Sequence, residues 1–177
     1  MLRFFILFAV ILVTLFTAEL THPVQNAIVV PWTDALVRIS VGLITFFDPQ
    51  VAAFGKVLQS TANGFAVSVE AGCNGIEAAI VLIAAMLAFP APWKHRVIGI
   101  LAGLLAVQGL NIVRVISLFY LGQWNMEAFK WAHLYLWQAL IMLDVLVVWL
   151  IWMRTLPPLT ASPSPAENAG AAQAISS

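Results

Sequence analysis

Three side chains able to do covalent chemistry stand far apart in this sequence. Cys73 is the only cysteine. Gly72 precedes it and Asn74-Gly75 follows, so the chain can turn tightly there and a substrate backbone can come close. A thiolate attacks carbonyl carbon readily, and a helix N-terminus favours the thiolate form. Arg114 follows Asn111 by one helical turn, so an obligate cation and an amide share one face of an apolar segment. His133 heads the last apolar stretch and can carry a proton near neutral pH. A thiol, a cation to hold developing negative charge and an imidazole to move protons are the parts of acyl transfer through a thioester.

Each of these residues also has an ordinary explanation. A lone cysteine is most often a small buried apolar side chain, an arginine near a helix end snorkels to headgroups, and an interfacial histidine needs no catalytic role. Two intramembrane carboxylates extend the set. Glu77 lies one turn beyond Cys73 on the same face. Asp144 shares a face with His133 but lies about 16 Å deeper, too far to orient it, and reads as a structural hydrogen-bonding group. Glu19 and His22 read as interfacial, and Trp124, Trp131, Trp137, Trp149 and Trp152 as aromatic belts.

The elements that position these residues are membrane helices. Of 177 residues, 62% are hydrophobic and 9% charged, with zero formal net charge, which argues for an integral membrane protein and against a nucleic-acid partner. One cysteine excludes an internal disulfide, and neither a metal nor another cofactor is expected. Apolar stretches at 4–20, 75–90, 97–121 and 134–153 predict an all-α bundle of about four spanning helices. The first could be a cleaved signal; Arg3 as its only early charge and the poor cleavage site Phe16-Thr17-Ala18 weigh against that.

The division expected is a first spanning helix over 1–22, an extracytoplasmic segment over 23–74, a three-helix core carrying the site over 75–154, and a disordered cytoplasmic tail over 155–177. Within the second segment, 35–47 is apolar but short and reads as an interfacial helix. Residues 57–61 and 65–69 flank Asn63-Gly64 and read as a hairpin with a type I′ turn, leading directly to Cys73. With four crossings, Arg3, Lys94, Arg96 and Arg154 share the cytoplasmic side. Asp34, Asp48, Glu70 and Glu127 then fall outside with Arg38, Lys56 and Lys130. The same arithmetic puts Cys73, Arg114 and His133 at one level near the outer face, Arg114 being about 25 Å along the axis from Val97.

The run Glu70-Ala71-Gly72-Cys73-Asn74-Gly75-Ile76, then Asn111-Ile112-Val113-Arg114, then His133, resembles the exosortase/archaeosortase family of membrane cysteine transpeptidases, most of all the exosortase H subgroup. The resemblance extends over about 64–152. It implies that Cys73, Arg114 and His133 are catalytic, with Asn111, Glu77 and Asn74 as supporting residues; Asn74 stands where the family commonly has Ser. It also implies substrates that are exported proteins ending in a short motif, a spanning helix and a basic cluster, met within the membrane lipid. The rival readings are a non-catalytic membrane subunit or transporter fragment with a polar intramembrane pocket, and an acyltransferase with a lipid donor.

The basic-residue asymmetry generates a topology test. In a Cys73→Ala background, Lys94→Cys is expected to be shielded from an impermeant thiol reagent outside intact cells, and Asn63→Cys to be labelled. Labelling of position 94 from outside would reverse the orientation.

Overall fold

A computed structural model describes residues 2–156. The remainder of the Pro-, Ser- and Ala-rich tail, expected to be disordered, lies outside the described residues. The chain forms an all-α membrane bundle with a small three-stranded sheet at one end. Four helices are long and apolar enough to cross a membrane: α1 (Leu2–Glu19), α2 (His22–Ile44), α4 (Trp93–Trp124) and α5 (Met126–Arg154). Between α2 and α4 come β1 (Val51–Phe54), β2 (Val57–Ser60), β3 (Ala66–Ser68) and the shorter helix α3 (Ile76–Ala88).

That list differs from the sequence expectation in two places. The interfacial helix expected at 35–47 is the second half of a continuous 23-residue helix, α2. Pro31 lies inside it, where a proline ring would clash with the preceding turn. A π-helical turn at Gln25–Val29 widens the backbone just before the proline and lets the helix continue. The 75–90 stretch, expected to span, gives only the 13-residue α3, about 20 Å long. It is apolar on every side because it is the central helix of the bundle, packed by α1, α4 and α5. Pro90 and Pro92 end it and start the next helix.

Asn125 divides α4 from α5. Its backbone is extended, and its side-chain oxygen accepts from the N–H groups of Glu127 (2.8 Å) and Ala128 (3.1 Å), an N-cap that restarts the helix at once. α4 and α5 therefore form a long helical hairpin. His133 does not open the last helix, as expected, but lies inside α5 within a second π-helical turn, Ala132–Leu136. Arg114 lies well inside its helix: α4 continues ten residues to Trp124, about 15 Å farther.

The sheet is an antiparallel meander in the order β1-β2-β3. β2 and β3 pair as the sequence suggested, with Leu58 opposite Val67. The turn between them is longer than type I′: Gly64 has φ +75°, but among the described residues no non-glycine has positive φ, so Asn63 cannot supply the other half of that turn. The two-residue loop is instead Gly55-Lys56, joining β2 to a strand, β1, absent from the sequence reading.

Two larger hydrophobic cores result, with a smaller one of Leu118, Ala132 and Trp137 between α4 and α5. One joins α2, the sheet and the far half of α4, through Leu36, Val37, Ile44, Leu58, Val115 and Phe119. The other fills the bundle, through Leu82, Met86, Val107, Ile141, Val145 and Trp152. Trp152 and Trp137 are buried packing residues rather than belt residues, whereas Trp124 and Trp131 are exposed. At the end away from the sheet, Phe4 meets Phe89 and Trp149, and Trp152 Nε1 donates to His95 O at 3.0 Å. The helix ends carrying Arg3, Lys94, Arg96 and Arg154 therefore gather there.

Close approach of α4 and α5 at that end depends on Gly99, where a Cβ would overlap the Trp152 indole ring. Gly99→Ala is expected to lower the thermal unfolding midpoint in detergent, by about 1–3 kcal/mol of overpacking. Gly109→Ala, with nothing within 4 Å of a built Cβ, is expected to leave it unchanged or raise it.

Candidate active site

The chain leaves β3 and reaches α3 through a loop with no regular structure, and side chains from elsewhere hold each carbonyl of 72–75. Arg114 Nη1 donates to Gly72 O (3.3 Å), Asn111 Nδ2 to Cys73 O (3.2 Å), Trp32 Nε1 to Asn74 O (3.2 Å) and Gln108 Nε2 to Gly75 O (3.1 Å). A buried carbonyl without a partner costs about 1–3 kcal/mol, so these donors dictate the loop's path. Gln108, Asn111 and Arg114 recur every third residue along α4, forming a polar stripe that follows the loop. Glu77 accepts from Gly72 N–H, and Asn74 Oδ1 accepts from Ile76 N–H at the start of α3. Gly75 has φ +76°, and a Cβ there would come within 2.8 Å of Gln108 and 3.1 Å of Asn111.

This loop delivers Cys73 to a shared point. Arg114 Nη2 donates to Cys73 Sγ at 3.5 Å. His133 Nε2 and Nδ1 lie 3.9 and 4.0 Å from the same sulfur. The near-equal distances mean that neither ring nitrogen points straight at Sγ, while both are within reach of proton transfer after a small ring movement. Phe129 stacks on the His133 ring, with centroids 5.7 Å apart and planes 1° apart, and sets its plane. Arg114 is buried, and its Nε has no partner, so the guanidinium keeps a donor free. A cleft of about 140 Å³ opens onto this point, between β3 on one side and Phe129 and His133 on the other. Among the described residues, no three His, Cys, Asp or Glu side chains converge to hold a metal ion.

A family model described as transmembrane exosortase (Exosortase_EpsH) matches residues 2–149. The chain belongs to the transmembrane exosortase family. No match was found among curated proteins or among solved structures. Family membership, with four helices long and apolar enough to cross a membrane, makes this exosortase a multi-pass membrane protein.

The supporting residues of this exosortase stand where the sequence did not put them. Asn111 grips the loop at Cys73 O. Glu77 holds the loop at Gly72 and is not placed on a helix face below Cys73, because Cys73 precedes α3 and lies outside it. Asn74 is buried and turned to Thr33, to which its Nδ2 donates at 3.2 Å, away from the cleft. Asp144 Oδ2 is buried without the structural hydrogen bond expected of it, and Glu19 is buried rather than interfacial. Gln108, Trp32 and Phe129 went unnoticed in the sequence. The three-residue spacing of Gln108 from Asn111 in an apolar helix was a signal; the other two carried none.

The thiol is not activated by a helix end. Burial pushes the Cys73 thiol above its ordinary value; Arg114 opposes this, and Glu77 and Glu70 add to it. Because alkylation needs the thiolate, the rate of Cys73 reaction with a haloacetamide should rise with pH and reach half-maximum above that of free cysteine. Arg114→Gln should move the midpoint higher still, since it removes the one opposing charge. A midpoint below free cysteine would mean a stable thiolate–imidazolium pair instead.

Proposed function

We propose that this exosortase is a membrane-embedded cysteine peptidase and transpeptidase that cleaves C-terminal sorting signals of exported proteins. The observation that carries the reading is the convergence of Arg114 and His133 on Cys73 Sγ from two different helices. Cys73 is the nucleophile. Its sulfur attacks the scissile carbonyl carbon as the thiol proton passes to His133, giving a tetrahedral oxyanion and an imidazolium. Arg114 stabilises the oxyanion through a guanidinium already held beside the sulfur. The C–N bond then breaks, His133 gives its proton to the departing amine, and a thioester remains on Cys73. His133 next takes a proton from the acceptor, water or an amine, which attacks the thioester and releases the Cys73 thiolate; the proton returns to the sulfur from His133.

A raised thiol pKa is compatible with this sequence, because the proton moves during attack and no resting thiolate is required. Asn111, Gln108, Glu77 and Asn74 act as positioning residues for the Cys73 loop. The reading places the protein in the plasma (inner) membrane. The clustering of Arg3, Lys94, Arg96 and Arg154 at the end away from Cys73 supports a cytoplasmic basic end and an extracytoplasmic site.

The test is the ratio of full-length to cleaved substrate in cells with equal membrane levels of each variant. Cys73→Ala is expected to abolish processing, and Cys73→Ser to fail or nearly fail, since a serine hydroxyl lacks the reactivity of sulfur. His133→Gln should slow processing by about 10²–10⁴-fold. Arg114→Lys should lose about 10²-fold, because an ammonium cannot reproduce the planar fork. Asp144→Asn should be mild. Processing by Cys73→Ala would end the peptidase reading and leave the non-catalytic subunit in its place.

A further inference from the structure

β3 is an edge strand whose outer side pairs with no other strand among the described residues. Ser60 N donates to Phe65 O (2.8 Å) and Val69 N to Lys56 O (2.9 Å), so Phe65 and Val69 turn their backbone groups toward β2. With the two-residue alternation of an antiparallel pair, Val67 does the same, opposite Leu58. Ala66 and Ser68 therefore direct their N–H and C=O groups away from the sheet, and both residues are exposed. An open edge is a liability that folds normally cover or blunt. Here it borders the cleft that holds Cys73, and the strand leads to the nucleophile within five residues of Ser68. Beyond Ser68 the edge closes, because Cys73 N donates to Glu70 O at 2.9 Å, and this turn brings Sγ back toward the cleft.

A second cavity, of about 150 Å³, meets the first at Arg114, which lines both. It is walled by helix faces, with Phe16 of α1, Ala78 and Val81 of α3, and Ile141 and Met142 of α5. The two cavities differ in what they can hold. The first offers free backbone donors and acceptors to an extended chain; the second offers mainly apolar helix surface, with Gly72, Glu77 and Gln138 also lining it.

We propose that the extended substrate segment preceding the scissile bond docks on β3 as a fourth strand, paired with the free backbone groups of Ala66 and Ser68. The proposal rests on the peptidase reading above and adds to it the element that recognises the substrate. The segment that becomes the acyl group must run toward Cys73 from its N-terminal side, as β3 does, so the pairing is parallel. The residues after the scissile bond then enter the helix-walled cavity beyond Arg114. Main-chain pairing supplies affinity without regard to sequence, and side-chain pockets supply selectivity. Alternate side chains of the docked strand face Val67, Val115, Leu118 and Phe129, so one position in two of the recognised motif is apolar or small.

The experiment uses the full chain in membranes with a tagged exported protein from the same genome that ends in a short motif, a spanning helix and a basic cluster. Ser68→Pro removes the outward N–H and takes no bond from the β2 pairing, since edge positions tolerate proline. Ser68→Ala keeps the N–H and loses only the bond from Ser68 Oγ to Glu70 (2.8 Å). Processing is expected to fall about tenfold or more in Ser68→Pro and to stay within about twofold in Ser68→Ala, with haloacetamide labelling of Cys73 unchanged in both. As a second measurement, a photo-crosslinking residue at position 66 in the Cys73→Ala chain should capture uncleaved substrate through residues before the scissile bond. Wild-type processing by Ser68→Pro, or capture only through residues after the bond, overturns the docking edge while Cys73→Ala remains inactive. Processing by Cys73→Ala overturns the peptidase reading itself.

Discussion

Where a loop enters the protein its peptide carbonyls need partners, and of those in the partly buried Cys73 loop only Gly75 O finds one in the backbone of the following helix, from Ala79 N–H. The loop borrows donors from the surrounding helices: Arg114, Asn111 and Gln108 from α4, and Trp32 from α2. Desolvating a carbonyl without compensation costs more than a typical hydrogen bond returns, so this arrangement has little freedom to drift. The position of Cys73 is thus set mainly by α4, with Trp32 of α2 and Glu77 of α3 holding the loop on either side of it. Arg114 joins the two tasks, since one guanidinium nitrogen fixes Gly72 O and the other touches Cys73 Sγ.

The loop lies between two hydrophobic cores. Below it, α3 is sheathed by α1, α4 and α5; beyond it, α2 and the sheet pack on the continuation of α4. Polar groups at this junction are shielded on both sides but reached through a cleft. That placement accounts for the electrostatics of the site. Burial raises the thiol, and the adjacent guanidinium restores part of the cost of forming a thiolate. A buried arginine at such a boundary is expensive to maintain; the loop carbonyl and the sulfur occupy its two terminal nitrogens, while Nε stays unpaired.

The sheet does more than cover this junction. Its first hairpin places Lys56 within 2.6 Å of Glu70, just ahead of the loop, although an exposed pair of this kind adds little stability. Hydrogen bonds from Lys56 and from Ser68 also hold the Glu70 carboxyl below its usual range. The π-helical turn in α5 is the matching device on the other wall, a local widening of the backbone at the residues that carry His133.

Much of this was legible in the sequence. Long apolar runs require helices in a membrane, because unpaired backbone groups there are prohibitive, and polar residues that survive inside such runs mark a site. Cys73, Arg114 and His133 were found on that ground, together with the β2–β3 hairpin leading to the first of them. What only tertiary structure decided was depth and partnership. Apolar run length put His133 at the head of its helix and Arg114 near the outer boundary; in the structure α5 begins seven residues before His133 and α4 runs on to Trp124, with α2 and the sheet packed beside them. Glu77, Asn111 and Asn74 were recognised as residues but not in their roles, because a role depends on which carbonyl or N–H lies opposite. For Asn111 and Asn74 that pairing joins residues about 40 positions apart, a separation for which helical periodicity carries no information, and for Glu77 it depends on a turn that folds Gly72 back toward the start of α3.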